Sequence, residues 1–258
     1  MKNRAALFFL LLSYSCFASV QDVRFEQKVG SQMPATVQVI DEHGRAAPLE
    51  TFFGDKPLIL SFVYYGCPNL CTLVLNGLVG AMNESGLKAG KDVNLLSISI
   101  DPNEKPSLSL AKKRTYLARL EQTGDDNAAW HFLTASASNI QTLTQAAGFH
   151  FKYDKLTQEF NHPSGLLILS PKGAITRYFF GIQFNPEDLK TAVKDAAQGK
   201  TYKTLTEVIL NCFHYSPQTG KYGSLIIRIL QGVSLVTVLA LIALLLRLAL
   251  VPKKVLHG

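Results

Sequence analysis

The chain has 258 residues, 47% of them hydrophobic, 10% aromatic and 17% charged, with a formal charge of +7. That content excludes a disordered chain, and the length suits one ordinary domain with additions. Lys2, Arg4, Arg228, Arg247, Lys253 and Lys254 stand in two apolar terminal segments that hold no acid. Removing these six from the 26 basic residues leaves 20 against 19 acidic ones, a net +1 in the body, which excludes a nucleic-acid footprint.

In chain order, Lys2 and Arg4 precede an apolar run over 5–12, and small residues follow to Ala18. This is the pattern of a secretory signal peptide over 1–18, cleaved after Ala18. A lipoprotein reading of Cys16 is weaker, because Ser13 stands where a Leu is usual, and the apolar run is short for a retained anchor. Export is the expectation.

The exported body should run from 20 to 222. Residues 36–40, the turn Asp41-Glu42-His43-Gly44 and the residues from Arg45 onward predict an early hairpin. The continuous apolar run 57–65 predicts a strand covered on both faces, and 69–85 a helix closing near Gly86. A second buried strand is expected over 93–100, a helix over 107–121 and a short strand over 131–134. Another helix is expected from Ser136 to Ala147, ended by Gly148. Two strands, 165–170 and 174–180, flank the turn Pro171-Lys172-Gly173, and Asn185-Pro186-Glu187 opens a last helix with a cap, a Pro in the first turn and an acid against the dipole. The order β-α-β-α, hairpin, α belongs to the α/β class, as in a thioredoxin-like domain with an added hairpin.

Residues 229–246 form an uncharged run of 18 between Arg228 and Arg247. At about 1.5 Å per residue they span roughly 27 Å, near the thickness of a bilayer core. A C-terminal transmembrane helix over 225–251 is expected, with Arg247, Lys253 and Lys254 marking 252–258 as a cytoplasmic tail. The body would then lie outside the cytoplasm.

Chemistry concentrates at one strand-to-helix junction. Cys67 and Cys71 frame C-P-N-L-C, where a helix N-terminus favours thiolate and four-residue spacing brings both sulfurs to one face. The pair could share a metal or form a disulfide; two buried small hydrophobes are the bland alternative. Of the six histidines, His43 and His257 read as solvated and His131 as a core residue with a satisfied ring. His150 lies in an alternating strand and His214 near the apolar C-terminal run. His162 sits in a loop before the second hairpin, where Pro163 biases it to extended backbone.

The stretch Y-Y-G-C-P-N-L-C-T-L-V-L-N-G-L (64–78) resembles the copper-motif helix of the Sco/SenC family. S-I-S-I-D-P (97–102), W-H-F-L-T (130–134) and His162 before G-L-L-I-L-S-P-K-G match in order, and C-F-H-Y-S-P-Q-T-G-K-Y (212–222) before an apolar run is similar to a bacterial subgroup. The resemblance implies a thioredoxin-like copper protein that supports cytochrome c oxidase assembly. Cys67, Cys71 and His162 would be the copper ligands, and Asp101 an acidic neighbour. Asn161 stands where the family often has Asp, removing a negative charge beside the metal, and Thr72 where it often has a second Pro.

Two thiolates and an imidazole form a soft three-ligand set suited to copper, whereas structural zinc usually takes four protein ligands. Cys212 is a poor fourth ligand, since its segment leads into the apolar run, and Phe62, Tyr64 and Tyr65 read as packing. The leading reading is a metallochaperone at the outer face of a bacterial inner membrane, with the copper subunit of a cytochrome oxidase and a thiol reductant as partners. The alternative is a thiol-disulfide reductase using Cys67 and Cys71 as a redox pair. A thiol peroxidase is disfavoured, because its chemistry needs neither His162 nor the four-residue pair.

Overall fold

The computed structural model describes residues 23–67, 70–121, 129–201 and 223–250, with side chains in the last segment from 231 to 247. Two compact units divide the chain, Met1–Lys203 and Thr204–Gly258. The first is built on a five-stranded sheet. Its strands are β4 (Leu58–Val63), β5 (Asn94–Ser99), β6 (Trp130–Leu133), β10 (Gly165–Leu169) and β11 (Ile175–Phe180), in the spatial order β11-β10-β4-β5-β6. β4, β5 and β6 run parallel; on the other side of β4, β10 runs antiparallel to it and β11 antiparallel to β10.

Every residue of β4 is buried, as its unbroken apolar run requires. Its side chains alternate between two cores. Ile59 and Val63 pack with α1 (Leu70–Ser85), α4 (Pro186–Ala197) and Trp130; Leu58, Leu60 and Phe62 pack with α3 (Ala137–Ala146) and Phe149. Each large apolar side chain so buried contributes roughly 1.5–3 kcal/mol relative to exposure.

The predicted caps are present. Ser136 accepts from the Asn139 amide at the start of α3, and Asn185 from the Asp188 amide at the start of α4. The early hairpin is β2 (Gln38–Ile40) with β3 (Ala46–Pro48). The helix expected over 107–121 is α2, Pro106–Leu117. Two pairings were not expected: β1 (Arg24–Phe25) with β7 (Phe149–His150), and the small hairpin of β8 (Lys152–Asp154) with β9 (Glu159–Asn161) that leads into His162. A close approach ties α1 to the last loop: a Cβ on Gly77 would lie 2.0 Å from the Ile182 carbonyl oxygen.

In the second unit, α5 spans Gly223–Leu250. Among the described residues no helix is long and apolar enough to cross a membrane. The expected transmembrane helix over 225–251 is therefore not shown, the side chains described on α5 covering only 231–247. The leader over 1–18, Cys16, Cys212, His214, Tyr222 and the tail over 252–258 lie outside the described residues.

Candidate metal site

Parallel pairing sets the site's place. The loops leaving the C-terminal ends of β4 and β5 lie side by side, where α/β sheets gather their functional groups. Cys67 stands in the turn after β4, ahead of α1, and Cys71 is the second residue of α1. His162 arrives from the opposite side, in the link between β9 and β10.

The structure brings these three together. One ligand atom from each of Cys67, Cys71 and His162 lies within 4.8 Å of the others. Cys71 Sγ is 3.0 Å from His162 Nε2. All three residues are buried, and neither cysteine is in a disulfide. Backbone amides support the sulfurs: the Tyr64 N–H donates to Cys71 Sγ and the Cys71 N–H to Cys67 Sγ, each at 3.4 Å.

The imidazole is oriented for ligation. Its Nδ1 lies 2.9 Å from the Pro163 carbonyl oxygen, which only accepts, so Nδ1 carries the proton. Nε2 then presents its lone pair to Cys71, as in metal sites where the second ring nitrogen is tied to a carbonyl. Burial lowers the His162 pKa against the opposing effect of that hydrogen bond, keeping the ring neutral. Phe149 stacks on the ring and Tyr64 meets it edge-on, both with centroids 6.0 Å away.

Cys71 departs from the expectation of an activated thiol. Burial pushes its pKa well up, outweighing the Tyr64 amide that favours the thiolate. Without a cation the sulfur keeps its proton, which it can donate to His162 Nε2. A bound metal would take that proton's place. Tyr64, read from sequence as packing, takes part: burial and then a hydrogen bond to Cys67 push its phenol pKa up.

Asp101 holds its own loop. Its Oδ1 accepts from the Asn103 backbone and side-chain amides, at 2.8 and 3.0 Å. The carboxylate that reaches the cysteine turn is Glu104, absent from the sequence reading. It accepts from the amides of Tyr65 and Gly66, at 2.8 and 2.6 Å, and from Ser99 Oγ at 2.6 Å. Burial raises its pKa despite these donors. The usable signal was topological: an acid in the loop after β5 adjoins the loop after a parallel β4. His131 is satisfied, as expected, by Glu42 at 3.2 Å.

Comparisons with known proteins agree with this geometry. A family model described as SCO1/SenC matches residues 26–198. A search of the curated proteins finds no match. Among solved structures, a putative electron transfer protein from Aquifex aeolicus VF5 is 25% identical, with a TM-score of 0.58 over 68% of this chain and 98% of its own. Arabidopsis thaliana ScoI with copper bound is 18% identical, with a TM-score of 0.51 over 66% of this chain and 99% of its own. BsSco, described with a disulfide switch and as a member of the Sco family of cytochrome c oxidase assembly proteins, is 20% identical, with a TM-score of 0.52 over 68% and 99%. The last two likenesses speak to the fold, a thioredoxin-like α/β sheet.

Proposed function

The chain belongs to the SCO1/SenC family, and from that premise we propose that it is a copper-binding metallochaperone for the copper centre of a respiratory cytochrome oxidase. The observation that carries the proposal is the convergence of Cys67 Sγ, Cys71 Sγ and His162 Nε2 among buried residues, with the imidazole lone pair aimed at Cys71. Three soft or borderline donors suit copper, and among the described residues the metal-ligand cluster has no fourth member. Copper is the cargo, released by ligand exchange to a subunit of the oxidase.

The alternative, a thiol-disulfide reductase working through Cys67 and Cys71, is less well supported. Both thiols are buried, and the raised pKa of Cys71 makes it a poor free nucleophile. Because a disulfide would remove both ligands, the chaperone reading also requires a thiol reductant in an oxidising compartment.

The proposed setting is a bacterial inner membrane, with residues 1–18 as export signal, the body 20–222 outside the cytoplasm and 225–251 as a single span. The uncharged run within α5, flanked by Arg228 and Arg247, supports this placement. A reporter active only outside the cytoplasm should work when fused at Lys221 and fail after Gly258; the reverse pattern rejects it.

The deciding experiment is copper stoichiometry of the reduced full chain beside Cys67→Ser and His162→Ala. The proposal expects about one copper per chain, lost in Cys67→Ser and weakened in His162→Ala. Full copper content in Cys67→Ser rejects it. Disulfide reductase activity that survives His162→Ala would favour the alternative.

A further inference from the structure

The backbone amides from Tyr64 to Cys67 are all hydrogen-bonded, and one side chain accepts two of them. Tyr64 N–H is used by Cys71 Sγ, and Cys67 N–H by the Tyr64 carbonyl at 3.2 Å. The two amides between them, Tyr65 and Gly66, both point at the carboxylate of Glu104, one to each oxygen. Glu104 belongs to a different loop, 39 residues on from Tyr65, and is itself tied to β5 through Ser99 Oγ. The Tyr65 side chain is held separately, its hydroxyl within hydrogen-bond distance of the carbonyls of Ser97 and Leu133. The Gly66 N–H rests on Glu104 Oε1, and a Cβ there would come within 3.3 Å of that oxygen.

Gly66 immediately precedes Cys67, so the hold on its N–H bears directly on the backbone that carries that sulfur. In the described state the sulfurs are unbonded, grouped with His162 Nε2 at a spacing suited to a shared metal. A disulfide requires them at about 2.05 Å with a fixed dihedral preference. We infer that Glu104 is a positioning residue: by clamping the Tyr65 and Gly66 amides, it holds the cysteine pair open for metal and opposes closure to the Cys67–Cys71 disulfide. It touches neither sulfur nor metal and acts through the main chain. Its negative charge works against nearby thiolates, so the clamp must outweigh that repulsion.

For its metal arm this inference rests on the copper reading; its redox arm does not. The test uses the full chain in detergent, as wild type, Glu104→Gln and Gly66→Ala. Cu(I) affinity is measured by competition with a chromophoric Cu(I) chelator. Separately, the metal-free dithiol is equilibrated with oxidised and reduced dithiothreitol. There the two thiols give up two protons and two electrons as their S–S bond forms, and oxidised dithiothreitol takes them up as its own S–S bond opens.

Glu104→Gln keeps the size but presents an amide N–H₂ where one backbone N–H needs an acceptor. The expected result is a Cu(I) affinity lowered about tenfold or more, as for other outer partners of metal ligands. The dithiol–disulfide equilibrium should move about tenfold toward disulfide, close to 30 mV for two electrons. Gly66→Ala crowds the carboxylate and should shift both in the same directions by less, and add nothing in the Glu104→Gln background. The opposed signs are the signature, since general loosening of the site would weaken copper binding and disulfide formation together. Parallel losses, or no change in either equilibrium, overturn the inference. If the wild type takes up no Cu(I), the copper reading fails, and an unshifted disulfide equilibrium in both variants still overturns the role of Glu104.

Discussion

Two clusters of buried titratable groups lie in the same domain and handle their burial in opposite ways. In one, Glu42 of the early hairpin turn receives Lys113 from α2 at 2.5 Å, His131 from β6 at 3.2 Å and the Phe132 amide at 3.3 Å. Burial pushes the Glu42 carboxyl up, but the hydrogen bonds from His131 and Lys113 outweigh it and bring it down to about 2. Charge meets charge, and the carboxylate oxygens are already taken. In the other, Cys67, Cys71 and His162 bring together lone pairs, with protons on Cys71 Sγ and His162 Nδ1 and burial favouring the uncharged forms. Both clusters are buried and both contain a histidine. Only the second gathers soft donors within ligand distance of one another, and that marks a place for a cation. Burial of ionisable groups is thus a poor sign of function until their partners are counted.

If this contrast is right, mutations in the two clusters separate binding from stability. The largest effect is expected for Cys71→Ser, since a hydroxyl stays protonated where a thiolate is needed. Cu(I) affinity in equilibrium dialysis should fall beyond the roughly 10–100-fold that losing an outer partner of a ligand costs. The unfolding midpoint should barely move. A serine variant that keeps its copper would erase the contrast from one side.

Glu42→Gln tests it from the other. Leaving Lys113 buried without its carboxylate should cost about 3 kcal/mol of stability. Urea unfolding can report this through Trp130, the single tryptophan, which is fully buried in β6. Copper affinity of the folded chain should stay at the wild-type value; a parallel loss of both would show that the clusters are coupled.

The pH dependence sharpens the same point. Glu42 has a folded pKa below its ordinary value of 4.5. Its contribution is therefore present in full above pH 4.5 and is lost as pH falls from there through about 2. A shift of this size corresponds to stability on the order of 3 kcal/mol. Acid titration of the metal-free chain should show a steep loss in that window, flattened in Glu42→Gln. Equal acid sensitivity of the two would place the carboxylate outside the stabilising network.

The smallest effect is expected for Tyr64→Phe. It removes the hydroxyl that bonds Cys67 while keeping the ring against His162 and the backbone N–H on Cys71. Cu(I) affinity should fall by less than about tenfold, and stability by about 1 kcal/mol or less. A loss as large as that of Cys71→Ser would make the tyrosine a member of the ligand set.

Local order was readable along the chain because its causes are local. The two-sided burial of β4 follows from its unbroken apolar run, the starts of α3 and α4 from Ser136 and Asn185, and the nearness of the two cysteines from their spacing. His162 was a different matter. Its neighbourhood, a loop before Pro163, made it no more than a candidate, and the family resemblance selected it. The structure supplies the reason: β10 pairs with β4, which brings a loop 91 residues beyond Cys71 against its sulfur.

What tertiary structure alone decided is the environment of each group, because desolvation and hydrogen bonding depend on neighbours that sequence spacing does not reveal. A cysteine at a helix start predicts an acidic thiol, yet its place in the core beside Tyr64 and His162 makes burial the stronger effect at Cys71. An acid in D-P-N-E-K-P predicts nothing about the cysteine turn, yet the parallel register of β4 and β5 sets Glu104 against the amides of Tyr65 and Gly66. The sequence by itself determined the elements and the chemistry of the donors. Which donors meet, and in which protonation state, was decided by the sheet that brings distant loops to one edge.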